Sequence, residues 1–193
     1  SVENVRKLKE RGGKVIIIDT RYSPAAKNLA DIFLHINPGT DGVLALGMAN
    51  IIIQNGWENK EYIKNYTYGY EEYKALAAQY PVDLVSKITG IAPEDIIETA
   101  RLYATNGPAS TNYSACALTH RVNGFQTHRA VFCLAGLTGN YDRAGGNLPI
   151  PQSWCHKAAG FTTREAEFRM CRKPDYPRVA EGRFPIWDKY EHY

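Results

Sequence analysis

"KVIIIDTRYSPAAKNLADIFLHI", residues 14–36, is the stretch that sets the architecture. Its first part, Lys14–Asp19, is an almost unbroken apolar run rich in isoleucine. Such a run reads as a strand covered on both faces, and strands of that kind belong to parallel sheets. Residues 23–31 then read as a short helix, with Ser23 as N-cap and Pro24 at the first helical position. "IFLHI", residues 32–36, reads as a second strand. Strand, helix and strand in succession imply a parallel pair and an α/β layered fold.

Working outward, residues 2–11 read as a helix stopped by Gly12 and Gly13. Downstream, "NPGTDGVLALGMANIIIQNG" (37–56) is a proline–glycine turn opening an apolar segment of helix length. The small residues Gly42, Ala45 and Ala49 share one face of that segment, and close packing of a helix on the sheet accounts for them. Four more stretches between 59 and 107 show helical spacing. The last begins with Pro93, Glu94 and Asp95 and stops at Gly107, as a helix dipole favours. "ASTNYSAC" (109–116) reads as a further strand, and 124–140 as a helix ending in Gly139-Asn140. From Tyr141 the periodicity fades, and residues 141–193 hold five of the ten prolines. The expected organisation is an α/β cofactor-binding domain over 1–140, then an extended linker or loop segment over 141–193 leading to another domain. The chain opens as though on the end of a helix feeding a strand, so it is expected to be a piece of a longer protein.

Composition narrows the function classes. Hydrophobic residues make up 44% of 193, enough for a packed core. The formal net charge of +3 comes without a basic stripe interleaved with aromatics, so a nucleic-acid partner is not expected. The apolar run at 43–53 is too short to span a bilayer and carries Asn50, so direct membrane insertion is not expected either. Cys116, Cys133, Cys155 and Cys171 fit neither a zinc ribbon nor an iron–sulfur run and read as ordinary thiols.

Ligands of open α/β sheets sit beyond the carboxyl ends of the strands, and two acids fall there. Asp19 ends the first strand, where a carboxylate commonly accepts from the two hydroxyls of a ribose. Arg21, two residues on, suits a phosphate or the face of a base. Asp41 stands where the second strand's loop becomes a helix, a position at which the helix dipole favours a carboxylate. Two parallel carboxylate oxygens match the adjacent N1–H and exocyclic amine of guanine. Adenine would turn an acceptor toward the same charge, a mismatch that costs on the order of 1–3 kcal/mol. The plainer reading is equally concrete. Asp and Thr cap helices for about 1 kcal/mol with no ligand at all, and Asp19 can close its own turn with Arg21 as a surface neighbour. From spacing alone, capping is the first reading of both acids.

Other features are less directive. No G-x-G-x-x-G follows the first strand, and no G-K-[ST] loop exists, which argues against an ordinary NAD site or a phosphate loop. His120, with Arg121 beside it, falls between a strand and a helix, where it can face a ligand or merely solvent. His128 and Arg129 suit the polar face of the next helix, and His35 and His156 read as bystanders. "TGNYDRAGGN" (138–147) can approach a phosphate or pterin through its amides, though a chain reversal needs the same glycines. No nucleophile–base pair or paired catalytic carboxylates can be assembled.

Taken together, "VIIIDTRYSPAAKNLAD", "NPGTDGVLALGMANIII" and "NGFQTHRAVFCLAGLTGNYDRAGGN" resemble the large catalytic subunits of the molybdopterin oxidoreductases, the dimethyl sulfoxide reductase family. The likeness runs from about residue 14 to 147. It implies molybdenum or tungsten held by two molybdopterin guanine dinucleotides, with this chain as the interior α/β domain that binds the guanosine end of one of them. Asp19, Thr20 and Arg21 match the family's D-P-R strand end, with Thr20 in the place of proline. Pro38, Gly39, Thr40 and Asp41 match its P-G-T-D helix start, and Ser23 stands near a family hydroxyl that reaches phosphate; His120 is a candidate cofactor contact from its own position between strand and helix. Asp142 stands where the family's G-N-x-G has its second glycine, and aspartate tolerates positive φ less well, which makes that backbone a point to examine.

The resemblance also implies parts outside this chain. These are an N-terminal cysteine cluster for a 4Fe–4S centre, a metal-ligating side chain, a C-terminal pterin-binding domain, and an iron–sulfur electron-transfer subunit as partner. The chain by itself is not expected to turn over. Formate, nitrate, thiosulfate, polysulfide and arsenic oxyanions are substrates in the family, and a few tungsten members run hydration. Two other readings stay open from the residues: a non-catalytic nucleotide-binding regulatory domain, and the middle domain of a thiamine-type enzyme.

Overall fold

The computed structural model describes residues 2–112, 117–118 and 120–149. Helix α1 (Val2–Glu10) buries none of its residues. Strands β1 (Ile16–Asp19) and β2 (Ile32–His35) pair in parallel, Ile16 opposite Ile32 through to Asp19 opposite His35. Between them runs α2 (Pro24–Leu29), capped by Ser23, whose Oγ accepts from the Ala26 N–H at 3.2 Å. Then follow α3 (Asp41–Gln54), α4 (Lys60–Tyr66), α5 (Tyr70–Ala77), α6 (Val82–Thr89), α7 (Pro93–Thr105) and α8 (Gly124–Thr138). The fold is α/β, with a small open parallel sheet and a predominance of helix. Among the described residues no helix is long and apolar enough to cross a membrane.

α3 is the hub. Its apolar residues continue around the helix, and Leu44, Ala45, Met48, Ala49, Ile51 and Ile52 are all buried. A helix apolar on every side must be enclosed on every side. α5, α6, α7 and α8 enclose it. Asn50, buried in the same helix, satisfies its amide by donating to the Tyr80 carbonyl at 3.2 Å. Gly42 therefore serves helix-on-helix packing, where helix on sheet was expected, and Gly47 does the same. A Cβ on Gly42 would lie 3.1 Å from Thr127 Oγ1 of α8, and a Cβ on Gly47 would lie 2.5 Å from Val85 Cγ2 of α6.

Two strand expectations change. β1 is not covered on both faces: Ile18 is 42% exposed, because the sheet has two strands among the described residues and Ile18 borders an open cavity instead of packed side chains. Residues 109–112 are not a strand. Their backbone groups are taken by side chains instead. Asn140 Oδ1 accepts from the Ala109 N–H at 3.0 Å, while Asn147 accepts from the Thr111 N–H at 3.0 Å and donates to its carbonyl at 2.9 Å. Residues 113–116, the rest of that expected strand, lie outside the described residues, as do Cys116, Cys155, His156, Cys171 and everything from 150 on. Asn140 and Asn147 also close the glycine-rich turn on itself, through Asn147 N–H to the Asn140 carbonyl at 2.7 Å. Within it Asp142 takes φ 55, the left-handed conformation a glycine would supply.

Candidate cofactor-binding site

The carboxyl ends of β1 and β2 gather most of the residues singled out from the sequence. Asp19 is half-buried, and its Oδ1 accepts from the Arg21 N–H at 3.0 Å, a side chain closing its own turn. One carboxylate oxygen of Asp19 is thus engaged by backbone and the other is left over. Thr20 and Arg21 are exposed. The Thr20 carbonyl is fixed by His35 Nε2 at 3.0 Å, so Nε2 carries the proton, since a carbonyl only accepts. His35 is therefore no bystander: it ties the end of β2 to the turn after β1. The register that sets Asp19 opposite His35 was the signal for it, and it exists only once the strands are paired. Ser23 spends a lone pair as helix cap and keeps its hydroxyl proton to donate.

The second loop is built differently. Asn37 is anchored to α6, its N–H donating to the Thr89 carbonyl at 2.8 Å and its side chain to the Ile88 carbonyl at 3.0 Å. Pro38 and Gly39 are exposed, and Gly39 takes φ 85, which needs a residue without Cβ. Thr40 occupies the N-cap position, yet its Oγ1 turns back to donate to the Asn37 carbonyl at 2.7 Å and makes no cap. Asp41 is the first helical residue. Its carboxylate makes no hydrogen bond or ion pair with the described residues. The capping interpretation thus has no hydrogen bond behind it at Asp41, whereas at Asp19 the turn-closing one does.

Asp41 lines a cavity of about 600 Å³. The floor is apolar, from Ile16 and Ile18 of β1 and Leu44 and Met48 of α3. Thr99, Tyr103 and Thr111 also line it, with Thr111 Oγ1 donating to the Tyr103 hydroxyl at 3.4 Å. Burial pushes the Tyr103 phenol up from its ordinary value, against the pull of its bonds to Thr111 and Thr138, so it stays a neutral hydroxyl. Thr99 is buried with its Oγ1 unpartnered among the described residues. A partly open, largely apolar cavity with a carboxylate unengaged by the described residues and several hydroxyls has the make-up of a small-molecule site. Asp19, Thr20, Arg21, Ser23, Pro38, Gly39 and His120 do not line it. The residues of 19–23 and 38–39 follow the ends of β1 and β2, and His120 is exposed in the turn before α8.

That turn supplies a residue that ranking by type passed over. The Arg121 side chain lies on the P-G-T-D turn, with Cδ and Nη1 each 3.5 Å from where a Gly39 Cβ would stand. Elsewhere, Cys133 is a free, half-buried thiol that burial pushes up, opposed by the Arg129 cation. His128 meets Phe132 edge-on, ring centroids 5.9 Å apart. Among the described residues no group of His, Cys, Asp and Glu is arranged to hold a metal ion.

With this geometry in place, comparison with known proteins is decisive for the class. A family model described as molybdopterin oxidoreductase matches residues 2–168. The chain belongs to the molybdopterin oxidoreductase family. Over 141 residues it is 36% identical to the F420-dependent formate dehydrogenase 1 subunit alpha of Methanococcus maripaludis, covering 73% of this chain and 21% of that one. It is 35% identical over 144 residues to acetylene hydratase of Syntrophotalea acetylenica, covering 75% and 20%. The solved acetylene hydratase from Pelobacter acetylenicus superposes with a TM-score of 0.67 at 34% identity, over 72% of this chain and 19% of that chain. The chain thus spans about a fifth of the length of these relatives.

Proposed function

We propose that this chain is the interior domain of the catalytic subunit of a molybdenum or tungsten oxidoreductase, and that it holds the guanosine end of one molybdopterin guanine dinucleotide. Residues 141–193 then lead to a further domain. The single observation that carries the reading is Asp41: a half-buried carboxylate at a helix start, unengaged by the described residues, lining a cavity. That donor set fits the group. A carboxylate with both oxygens available accepts the paired donors of guanine and rejects adenine. The left-over oxygen of Asp19 and the proton of Ser23 suit the ribose and its phosphate, Arg21 adds a guanidinium in the same turn, and His120 is proposed as a further cofactor contact. The dinucleotide's pterin end would supply the metal and the redox chemistry, and this chain's residues bind and orient the other end. The relatives' names span formate dehydrogenation and acetylene hydration, so the substrate is set by residues outside this chain. In the parent, electrons would pass through a 4Fe–4S centre upstream and a partner iron–sulfur subunit.

The test uses the full-length parent polypeptide prepared without cofactor. Calorimetric titration is expected to show GMP and GDP binding more tightly than AMP and ADP. Asp41→Asn is expected to reduce the guanine preference by about tenfold, the worth of one mismatched donor pair. Unfolding free energy is expected to move by less than about 1 kcal/mol, since no cap is lost. Equal affinity for guanine and adenine nucleotides in the unmodified protein would overturn the assignment.

A further inference from the structure

We infer that the groove lined by α5 and α8 seats a helix from the part of the parent polypeptide outside these 193 residues, and that this helix presents a carboxylate to Arg129 and a cation to Glu72. The inference rests on the reading of this chain as an interior domain, and it does not depend on the guanosine site.

The groove has about 710 Å³ and shares no lining residue with the cavity at Asp41. α8 contributes Gln126, Arg129, Cys133 and Gly136, spaced three, four and three residues apart and so on one helical face. α5 contributes Tyr73 and Leu76, one turn apart, and both helices pack on α3. A Cβ on Gly136 would meet nothing within 4 Å, so the backbone of α8 is bare there and open to close approach. Leu76 is exposed, and four tyrosines line the same space. Tyrosine and arginine are the residues that carry binding energy at protein interfaces, and an apolar surface of this kind is ordinarily covered.

Three arguments select the occupant. Helical faces set side by side over a third helix leave a groove that another helix fills, ridge into groove. Next, Arg129 on α8 and Glu72 on α5 both line the groove, and neither forms an ion pair with the described residues. One charge of each sign on the two helices sets the polarity that a partner must answer. Finally, the relatives carry about four fifths of their length outside the part matched here, which is ample chain to supply a helix in the same molecule. A second copy of this chain fits less well, because a two-fold contact would set one concave groove against another.

The experiment places the photo-crosslinking residue p-benzoylphenylalanine at position 76 of the full-length parent polypeptide and identifies the linked peptide by mass spectrometry. That peptide is expected to lie in the same polypeptide, outside this chain, with apolar residues at helical spacing and an acidic residue among them. Arg129→Glu is expected to speed alkylation of Cys133 by about tenfold, and replacing the partner's acidic residue by lysine should restore the slow rate. Arg129→Lys keeps the charge and should leave the rate within about twofold. Links confined to this chain, links to a second copy or to another subunit, or no linked product would each overturn the assignment. GDP titration of the same proteins separates the two readings. Wrong links with guanine preference intact sink the groove alone, and the expected link without guanine preference sinks the guanosine site alone.

Discussion

At the scale of single residues, Asp142 shows how a sequence departure is absorbed. The turn it occupies is held by Asn140 and Asn147 at both ends, and the backbone between them must pass through φ 55 whatever side chain stands there. A left-handed residue with a Cβ costs about 1 kcal/mol, and less for aspartate than for alanine. Asp142→Ala is therefore expected to lower the unfolding free energy by about 1 kcal/mol. Asp142→Gly should match or exceed the parent by a few tenths of a kcal/mol, the relief being set against glycine's larger unfolded-state entropy. Chemical denaturation of both variants decides it; equal losses would mean that the carboxylate's own contacts matter and the backbone does not. Much at this scale was legible beforehand. Asp19, Ser23 and Asp41 were picked out by type and place, because caps and strand ends leave local signals. Arg121 was not ranked with them. Its seat against the turn depends on the missing side chain at Gly39, and no spacing rule connects those positions.

Between elements, two contacts bear weight. The first is the closest approach in the core, Gly47 of α3 against Val85 of α6. A Cβ there would meet Val85 Cγ2, Cγ1 and Cβ at 2.5, 2.9 and 3.1 Å, and a β-branched side chain has no free rotamer to offer. Gly47→Ala gains about 1 kcal/mol in helix propensity but incurs overpacking of about 1–3 kcal/mol, so a net loss of about 1 kcal/mol is expected. Combining it with Val85→Ala should give less than the sum of the two single losses, a coupling that a double-mutant cycle reads directly. The second contact is Asp31, which joins α1 to the sheet. It accepts from the Val15 N–H at 2.8 Å and lies 3.2 Å from Lys9 Nζ. Partial burial alone would raise its carboxyl, but the Val15 bond and the Lys9 ammonium outweigh that and hold it below the ordinary aspartate range. A depressed folded-state value means stability that is fully present above the unfolded value of about 4 and is lost as pH falls through the folded one. Acid titration should therefore release α1 below about pH 4, at a cost of roughly 0.5 kcal/mol for a screened pair. Asp31→Asn should abolish that pH dependence and keep the Val15 bond. Fluorescence from a probe on α1 would follow it, and an unchanged acid profile in the variant would refute the role. Elements with their own periodicity were readable from the sequence: both strands, α3 and the helices after it. Residues 109–112 misled because their hydrogen-bond partners are asparagine side chains some thirty positions downstream, which alternation cannot show.

For the whole molecule, stability should be graded from α3 outward. Leu44, Met48, Ala49, Ile51 and Ile52 are each 5% exposed or less, and four other helices cover them. Each buried Leu, Ile or Met contributes about 1.5–3 kcal/mol of transfer free energy, so opening α3 means opening everything packed on it. The sheet is in the opposite position. A two-stranded ribbon is marginal by itself, one face of β1 looks into a cavity, and Ile18 is 42% exposed. α1 buries nothing and is held through Asp31 and Lys9, the latter also donating to the Leu29 carbonyl at 2.9 Å. Native-state hydrogen exchange should then show three tiers: α3 amides opening only with global unfolding, β1 and β2 amides by sub-global opening, and α1 amides nearly unprotected. The candidate site straddles the first two tiers, with Asp41 on the rigid hub and Asp19 on the weaker sheet. A nucleotide gripping both acids would tie the sheet to the hub, and its free energy of binding should appear as protection of β1 and β2. Adding GDP to the cofactor-free polypeptide is thus expected to slow exchange at Ile16–Asp19 and Ile32–His35 while leaving α3 at its global limit. If α3 exchanged as fast as the sheet, or if GDP protected α3 and not the strands, the hub would be misplaced and Asp19 would have no share in the ligand.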